Sequence, residues 1–157
     1  ADWADHLTTI FPEVRLKKFL EMRGADGGSW RRICGLPALW TGIYYDQTAL
    51  DAAWDMVKDW TAEERQAMRS AVPVQGFKTP FRKTTVGQLA HLMLEISSAG
   101  LRLRAAEDSA GMTEDGFLNP LRELVDRGYT RAEELLRRYH GDWNRDLAPL
   151  FKEYNFL

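Results

Sequence analysis

Along most of this chain the apolar residues return every three or four positions, and in one stretch they alternate instead. Trp3, Leu7 and Ile10 predict a short helix over 2–10, with Asp2 as a capping residue and Pro12 as its stop. Residues 14–23 alternate, with Val14, Leu16, Leu20 and Met22 on one face and Arg15, Lys17, Phe19, Glu21 and Arg23 on the other. Lys18 interrupts the apolar face. The pattern predicts one strand, and a lone strand needs partners.

From Trp30 the spacing is helical. Ile33, Leu36, Leu39, Trp40, Ile43 and Tyr44 share a face, and Pro37 is expected to break or kink the run. Helices follow over 47–59, over 62–71 with a Thr61/Glu64 capping box, and over 86–106 with Leu89, Leu92, Met93, Ile96, Leu101 and Leu103 inward. Residues 73–84 read as a loop, and 108–115 as a polar, mobile one. Further helices are expected over 117–127, over 131–140 behind a Thr130/Glu133 capping box, and over 145–154. By spacing, most of the six tryptophans are helix-packing residues. The fold class is therefore mainly α with one or two β-strands: a strand at 14–23 and a helical region over 30–157, with no repeat or linker to mark a second domain.

Composition narrows the functional classes. The hydrophobic share of 45% and charged share of 28% are those of a globular chain rather than a disordered or membrane one. A net charge of −2 with a pI near 6.0 gives no global attraction to nucleic acid or anionic lipid. No apolar run approaches the ~20 residues of a membrane span, and no secretory signal pattern opens the chain. It starts at Ala1 rather than methionine, as a processed chain or an excised piece would. The single cysteine, Cys34, has no partner for an internal disulfide and suits a reducing compartment.

Candidate chemistry gathers at Phe19 to Trp30. Glu21 and Arg23 project from one strand face about 7 Å apart, and a carboxylate beside a guanidinium suits a magnesium-bound phosphate. The same spacing also describes an exposed strand face with a weak salt bridge. Gly24, Gly27 and Gly28 follow, and glycines let a backbone approach an anion closely. Asp26 either serves a ligand or caps the turn, and Trp30 is either pocket wall or core. Arg31 and Arg32 sit where the helix dipole disfavours cations, either near a phosphate or in a solvated first turn. Lys78 and Arg82 read as solvent-facing, Cys34 as a small buried hydrophobe, and Arg102, Arg104, Arg131, Arg137 and Arg138 as solvated helix faces. No pair among His6, His91 and His140 has metal-ligand spacing.

The run Phe11-Pro12-Glu13-Val14-Arg15-Leu16-Lys17-Lys18-Phe19-Leu20-Glu21-Met22-Arg23-Gly24-Ala25-Asp26-Gly27-Gly28, with Trp30-Arg31-Arg32, resembles glutamate-cysteine ligases of the plant and proteobacterial type. So do Leu36-Pro37-Ala38-Leu39-Trp40, Lys78-Thr79-Pro80-Phe81-Arg82, Gly116-Phe117-Leu118-Asn119 and Gly141-Asp142-Trp143. Ser29 and Gly35 depart from the pattern, where proline and alanine are expected. The resemblance covers the whole chain in order and corresponds to the C-terminal portion of a longer enzyme. It implies a glutamine-synthetase-like α+β fold, in which a curved antiparallel sheet with outer helices holds ATP, magnesium and glutamate. The implied reaction is ATP-dependent joining of glutamate to cysteine through a γ-glutamyl phosphate, the first step of glutathione biosynthesis. In that pattern Glu21 corresponds to a magnesium ligand and Arg23 to the residue that meets the transferring phosphoryl group, while Asp26 and Trp30 are candidates for the glutamate pocket.

The implied partners are glutamate, cysteine, ATP with Mg²⁺ and the rest of the ligase chain, with neither nucleic acid nor membrane. The implied compartment is the cytoplasm of a bacterium or the plastid of a plant. The piece alone is expected to be inactive. The alternatives are a non-catalytic helical interaction module derived from the ligase, or a related ligase joining glutamate to another amine.

Overall fold

Small residues let two helices touch backbone to backbone, and the elements from the middle of the chain pack round that contact. The computed structural model describes residues 2–9, 11–25 and 27–154. Helix α2 (Trp30–Tyr44) crosses α5 (Val86–Arg104) at Gly42, Ser97 and Gly100. A methyl group built on Gly42 would overlap the Ser97 carbonyl, and one built on Gly100 would overlap the Gly42 carbonyl oxygen. The buried Ser97 hydroxyl donates to the Leu39 carbonyl oxygen at 2.9 Å, so the one polar side chain in the crossing is satisfied.

Around the crossing, Ala38, Leu94, Leu101, Leu118 and Val125 form the buried core, with Leu39, Phe77, Ala90 and Leu121 packed against it. The inward face of α5 thus differs from the one its leucines suggest. Leu92 and Leu103 face solvent, while Ser97, Ser98 and Gly100 are buried. Close approach favours small side chains over large apolar ones.

The other helices follow local chemistry. Helix α1 (Asp2–Thr8) opens the chain, and α3 (Gln47–Val57) is capped by Asp46, which accepts from the Ala49 N–H at 2.8 Å. The capping boxes at Thr61/Glu64 and Thr130/Glu133 form as expected and start α4 (Ala62–Gln75) and α7 (Arg131–His140), while Thr85/Gln88 makes a third. Helices α6 (Asn119–Asp126) and α8 (Ala148–Glu153) complete the set, α6 following a short 3₁₀ turn over Glu114–Leu118. Neither Pro37 nor Pro73 ends its helix. Both prolines are exposed, so the carbonyls that lose an N–H partner lie on the wet side, where water can replace it. No helix among the described residues is long and apolar enough to cross a membrane.

Two small antiparallel sheets complete a mainly helical structure, and both correct the sequence reading. Residues 14–23 are not one strand. They fold into a hairpin of β1 (Val14–Leu16) and β2 (Leu20–Met22), pairing Val14 with Met22, Arg15 with Glu21 and Leu16 with Leu20. Lys17, Lys18 and Phe19 make the turn, closed by the Lys17 N–H donating to the Phe19 carbonyl oxygen at 2.9 Å. A continuous strand would place Lys18 on the apolar face; a turn leaves it in water.

The expected loop at 73–84 holds a second hairpin, β3 (Pro80–Phe81) with β4 (Thr84–Thr85). Its turn residue Arg82 has φ +51° and donates from two nitrogens to Glu64 at 2.7 and 2.6 Å. Phe81 is buried against Trp60, their rings 4.5 Å apart. Trp143 is buried, but Trp3, Trp30 and Trp54 are 72%, 75% and 62% exposed, against the expectation that the tryptophans pack helices.

Gly100→Ala is expected to cost on the order of 3 kcal/mol, because backbone rather than a flexible side chain fills the space. Gly116→Ala, where an added Cβ meets nothing within 4 Å, is expected to change stability by less than about 0.5 kcal/mol. Urea unfolding of the two variants checks the contrast. Glu64 provides a pH test. The Arg82 hydrogen bond, with the Thr61 N–H, holds its carboxyl down at about 2. Its folded value lies below the unfolded one, so its contribution is complete above about pH 5 and fades as pH falls toward 2. Arg82→Ala is expected to flatten the acid limb of stability against pH over that window.

Candidate functional site

The hairpin register decides which charges meet. Cross-strand partners on one face of an antiparallel pair lie side by side, so Arg15 stands directly opposite Glu21. Its Nε donates to Glu21 Oε2 at 2.7 Å, and Lys17 Nζ lies 3.8 Å from Oε1. The Arg15 hydrogen bond holds the Glu21 carboxyl below the usual carboxylate range against a smaller desolvation cost, and the charges of Arg15, Lys17 and Arg23 add to it. Glu21 is thus an ionised acceptor with one oxygen engaged and the other beyond hydrogen-bond reach of its neighbouring cation.

Arg23 follows β2, with its N–H continuing the ladder to the Glu13 carbonyl oxygen at 2.9 Å. Its guanidinium lies over the Phe11 ring at 4.9 Å, and one terminal nitrogen, Nη1, is buried without a hydrogen-bond partner among the described residues. A buried guanidinium N–H without an acceptor is costly, so this nitrogen has donor capacity to spare. The sequence reading paired Glu21 with Arg23. In the structure Arg23 acts on Glu21 only through its charge, and the bonded partner is Arg15. Arg15 was missed because a single strand has no facing partner; the signal was Lys18 on the apolar side, which marks the reversal.

Asp26 lies outside the described residues. Trp30 is the first residue of α2 and is largely exposed, so it is a surface residue rather than core. Ser29 takes the N-cap conformation there, but its side chain makes no capping hydrogen bond. Behind it a polar cleft of about 150 Å³ is lined by Ser29, Arg31, Arg32, Glu123 and Arg127 among others. Arg31 meets Glu123 at 3.3 Å, which offsets the dipole penalty on a cation in the first turn.

Other candidates resolve as structural. Cys34 is only half-buried, beside an apolar cavity of about 270 Å³ bounded by Pro37, Ala38, Thr41, Glu114 and Phe117. Arg82 is a clamp on Glu64. The arginines expected on solvated faces are largely ion-paired: Arg104 with Glu114 at 2.9 Å, Arg131 with Glu134 at 2.5 Å and Arg138 with Glu153 at 2.6 Å. Asp115, read as part of a mobile loop, accepts from Ser98 at 2.6 Å and from Arg122 at 2.7 Å. Burial pushes its carboxyl up, but those two bonds and the arginine charges outweigh it and leave it below the usual range. His91 meets Asp126 at 3.7 Å, and no group of three or more His, Cys, Asp or Glu side chains among the described residues is placed to hold a metal ion.

Among the described residues the site region therefore offers an ionised Glu21 carboxylate, an Arg23 with an unpartnered donor, and glycines between them and an exposed tryptophan. Comparison with known proteins gives it a context. The chain is 53% identical to a chloroplastic glutamate-cysteine ligase of Nicotiana tabacum over 152 residues, which are 97% of this chain and 28% of that protein. It is 51% identical to the chloroplastic glutamate-cysteine ligase of Arabidopsis thaliana, again over 97% of this chain and 28% of the relative. The chloroplastic glutamate-cysteine ligase B of Oryza sativa subsp. japonica is 51% identical, with 29% of its length covered. The chain thus spans less than a third of the length of these relatives. The family model for glutamate-cysteine ligase family 2 matches residues 1–153, and the chain belongs to that family.

Proposed function

We propose that this chain is one part of an ATP-dependent ligase that joins glutamate to cysteine, forming γ-glutamylcysteine through a γ-glutamyl phosphate. The orphaned guanidinium of Arg23 near an ionised Glu21 carries the reading, within a family whose named members are glutamate-cysteine ligases. Glu21 fits as one oxygen donor to magnesium, which favours carboxylate oxygens, and the bound ion would neutralise charge on the nucleotide phosphates. One carboxylate is not a magnesium site, so we assign the remaining donors to the rest of the ligase. Arg23 supplies a planar, permanently charged donor for phosphoryl oxygens and stabilises the charge that develops there. Asp26 and Trp30 border the glutamate pocket in this reading.

The hairpin then forms part of a curved antiparallel sheet of the glutamine-synthetase-like kind, completed by the rest of the ligase. Its exposed Val14, Leu16, Phe19 and Leu20 support such a covering partner. The relatives' chloroplast supports a plastid location for a plant source.

Two experiments test this. Residues 1–157 alone are expected to form no γ-glutamylcysteine, with activity restored by adding the separately made remainder of the ligase; full activity of the piece alone would overturn the assignment. In the complete ligase, Glu21→Gln is expected to weaken magnesium-dependent turnover at least a hundredfold. Arg23→Lys is expected to lower kcat by about two orders of magnitude while leaving glutamate KM nearly unchanged, because lysine lacks the fork. Wild-type kinetics in either variant would remove the role given to that residue.

A further inference from the structure

One short segment holds Arg23 at two points. The Arg23 N–H donates to the Glu13 carbonyl oxygen at 2.9 Å, and the guanidinium lies over the Phe11 ring at 4.9 Å. Pro12, between the two anchors, has a φ fixed by its own ring, which narrows the paths the segment can take. The Glu13 carboxylate meets Arg69 of α4 at 3.2 Å, so the segment is also tied to the helical part of the chain. Phe11 itself is 76% exposed and takes no part in the buried core.

An aromatic partner has a chemical consequence for the arginine. A carboxylate orients a guanidinium by taking up its N–H donors and offsetting its charge, as Glu21 does to Arg15 through Nε at 2.7 Å. A ring attracts the guanidinium through its face and leaves the in-plane N–H groups unspent. Arg23 Nη1 is buried and has no hydrogen-bond partner among the described residues. Arg15, Lys17 and Arg23 also outnumber the Glu21 carboxylate on which they act, so this end of the hairpin carries surplus positive charge. A fixed, uncommitted donor in a cationic setting suits an anionic oxygen.

Resting on the reading that Arg23 meets the transferring phosphoryl group, we propose that Phe11 is its positioning residue: the ring fixes the plane of the guanidinium and keeps its donors free for phosphoryl oxygens. Phe11 touches no substrate in this role. Its effect falls on the rate rather than on glutamate binding, because the arginine is aimed at charge that develops during transfer.

The complete ligase containing these residues is the material for the test. Phe11→Leu, which stays apolar and loses the ring, is expected to lower kcat about fivefold with glutamate KM unchanged. Phe11→Tyr, which keeps the ring, is expected to stay within about twofold of the wild type. Phenylalanines carrying one, two and three ring fluorines at this position keep the shape and weaken the negative face stepwise, so kcat is expected to fall in that order. A Phe11 that only packs against the rest of the ligase would give one kcat across the fluorinated series, which would overturn the proposal. Arg23→Met separates the two levels. With the arginine gone, Phe11→Leu is expected to lower kcat no further, and an equal loss in both backgrounds would remove Phe11 from this role. Wild-type kinetics in Arg23→Met would overturn the role of Arg23 first, whereas a slow Arg23→Met beside a wild-type Phe11→Leu would overturn only that of Phe11.

Discussion

The helical core depends on two helix backbones coming closer than any side chain beyond glycine or serine allows. At the α2–α5 crossing the driving force is contact area rather than the size of any single apolar residue, and Ser97 donating to the Leu39 carbonyl oxygen keeps the contact from trapping an unpaired polar group. The crossing sets the direction of α2, and α2 carries Trp30 and Arg31 at its far end. The hairpin precedes that same helix. Packing thus reaches Trp30 and Arg31 through a rigid rod.

A second tier of polar contacts ties the outer elements to this centre. Asp115 collects Ser98 from α5 and Arg122 from α6, so one carboxylate joins three successive pieces of chain. Glu64 serves likewise in two settings, closing the capping box of α4 and gripping Arg82 in the second hairpin. Glu64 holds a backbone N–H and a side chain at once, and Asp115 holds two side chains, so losses at such points are not additive.

The helices were legible because period and caps agree: Thr61 with Glu64 and Thr130 with Glu133 mark the starts of α4 and α7 in the sequence itself. The phase of α5 was not legible. Its leucines suggest one face, whereas a stripe of Ser97, Ser98, Gly100 and Leu101 is what a close crossing needs, and only the partner helix reveals that. At the site, the alternation of residues 14–23 correctly marked β structure and the face of Glu21, but it could not show the reversal at residues 17–19. A turn without glycine or proline leaves only a misplaced lysine as its trace. Family membership covers nearly the whole chain, yet it says nothing of which cation faces Glu21; that came from the register.

That register is held by a very short ladder. Three residue pairs and a three-residue turn decide that residue 21 faces residue 15. Because faces alternate with every residue, slipping the pairing by one position would set Glu21 against Val14 or Leu16 and turn its carboxylate away from the guanidinium. The length of the Lys17-Lys18-Phe19 turn is therefore part of the chemistry, although none of its three side chains is needed to hold a ligand. A single deletion there would leave every charged residue of the site in the chain and still dissolve their arrangement.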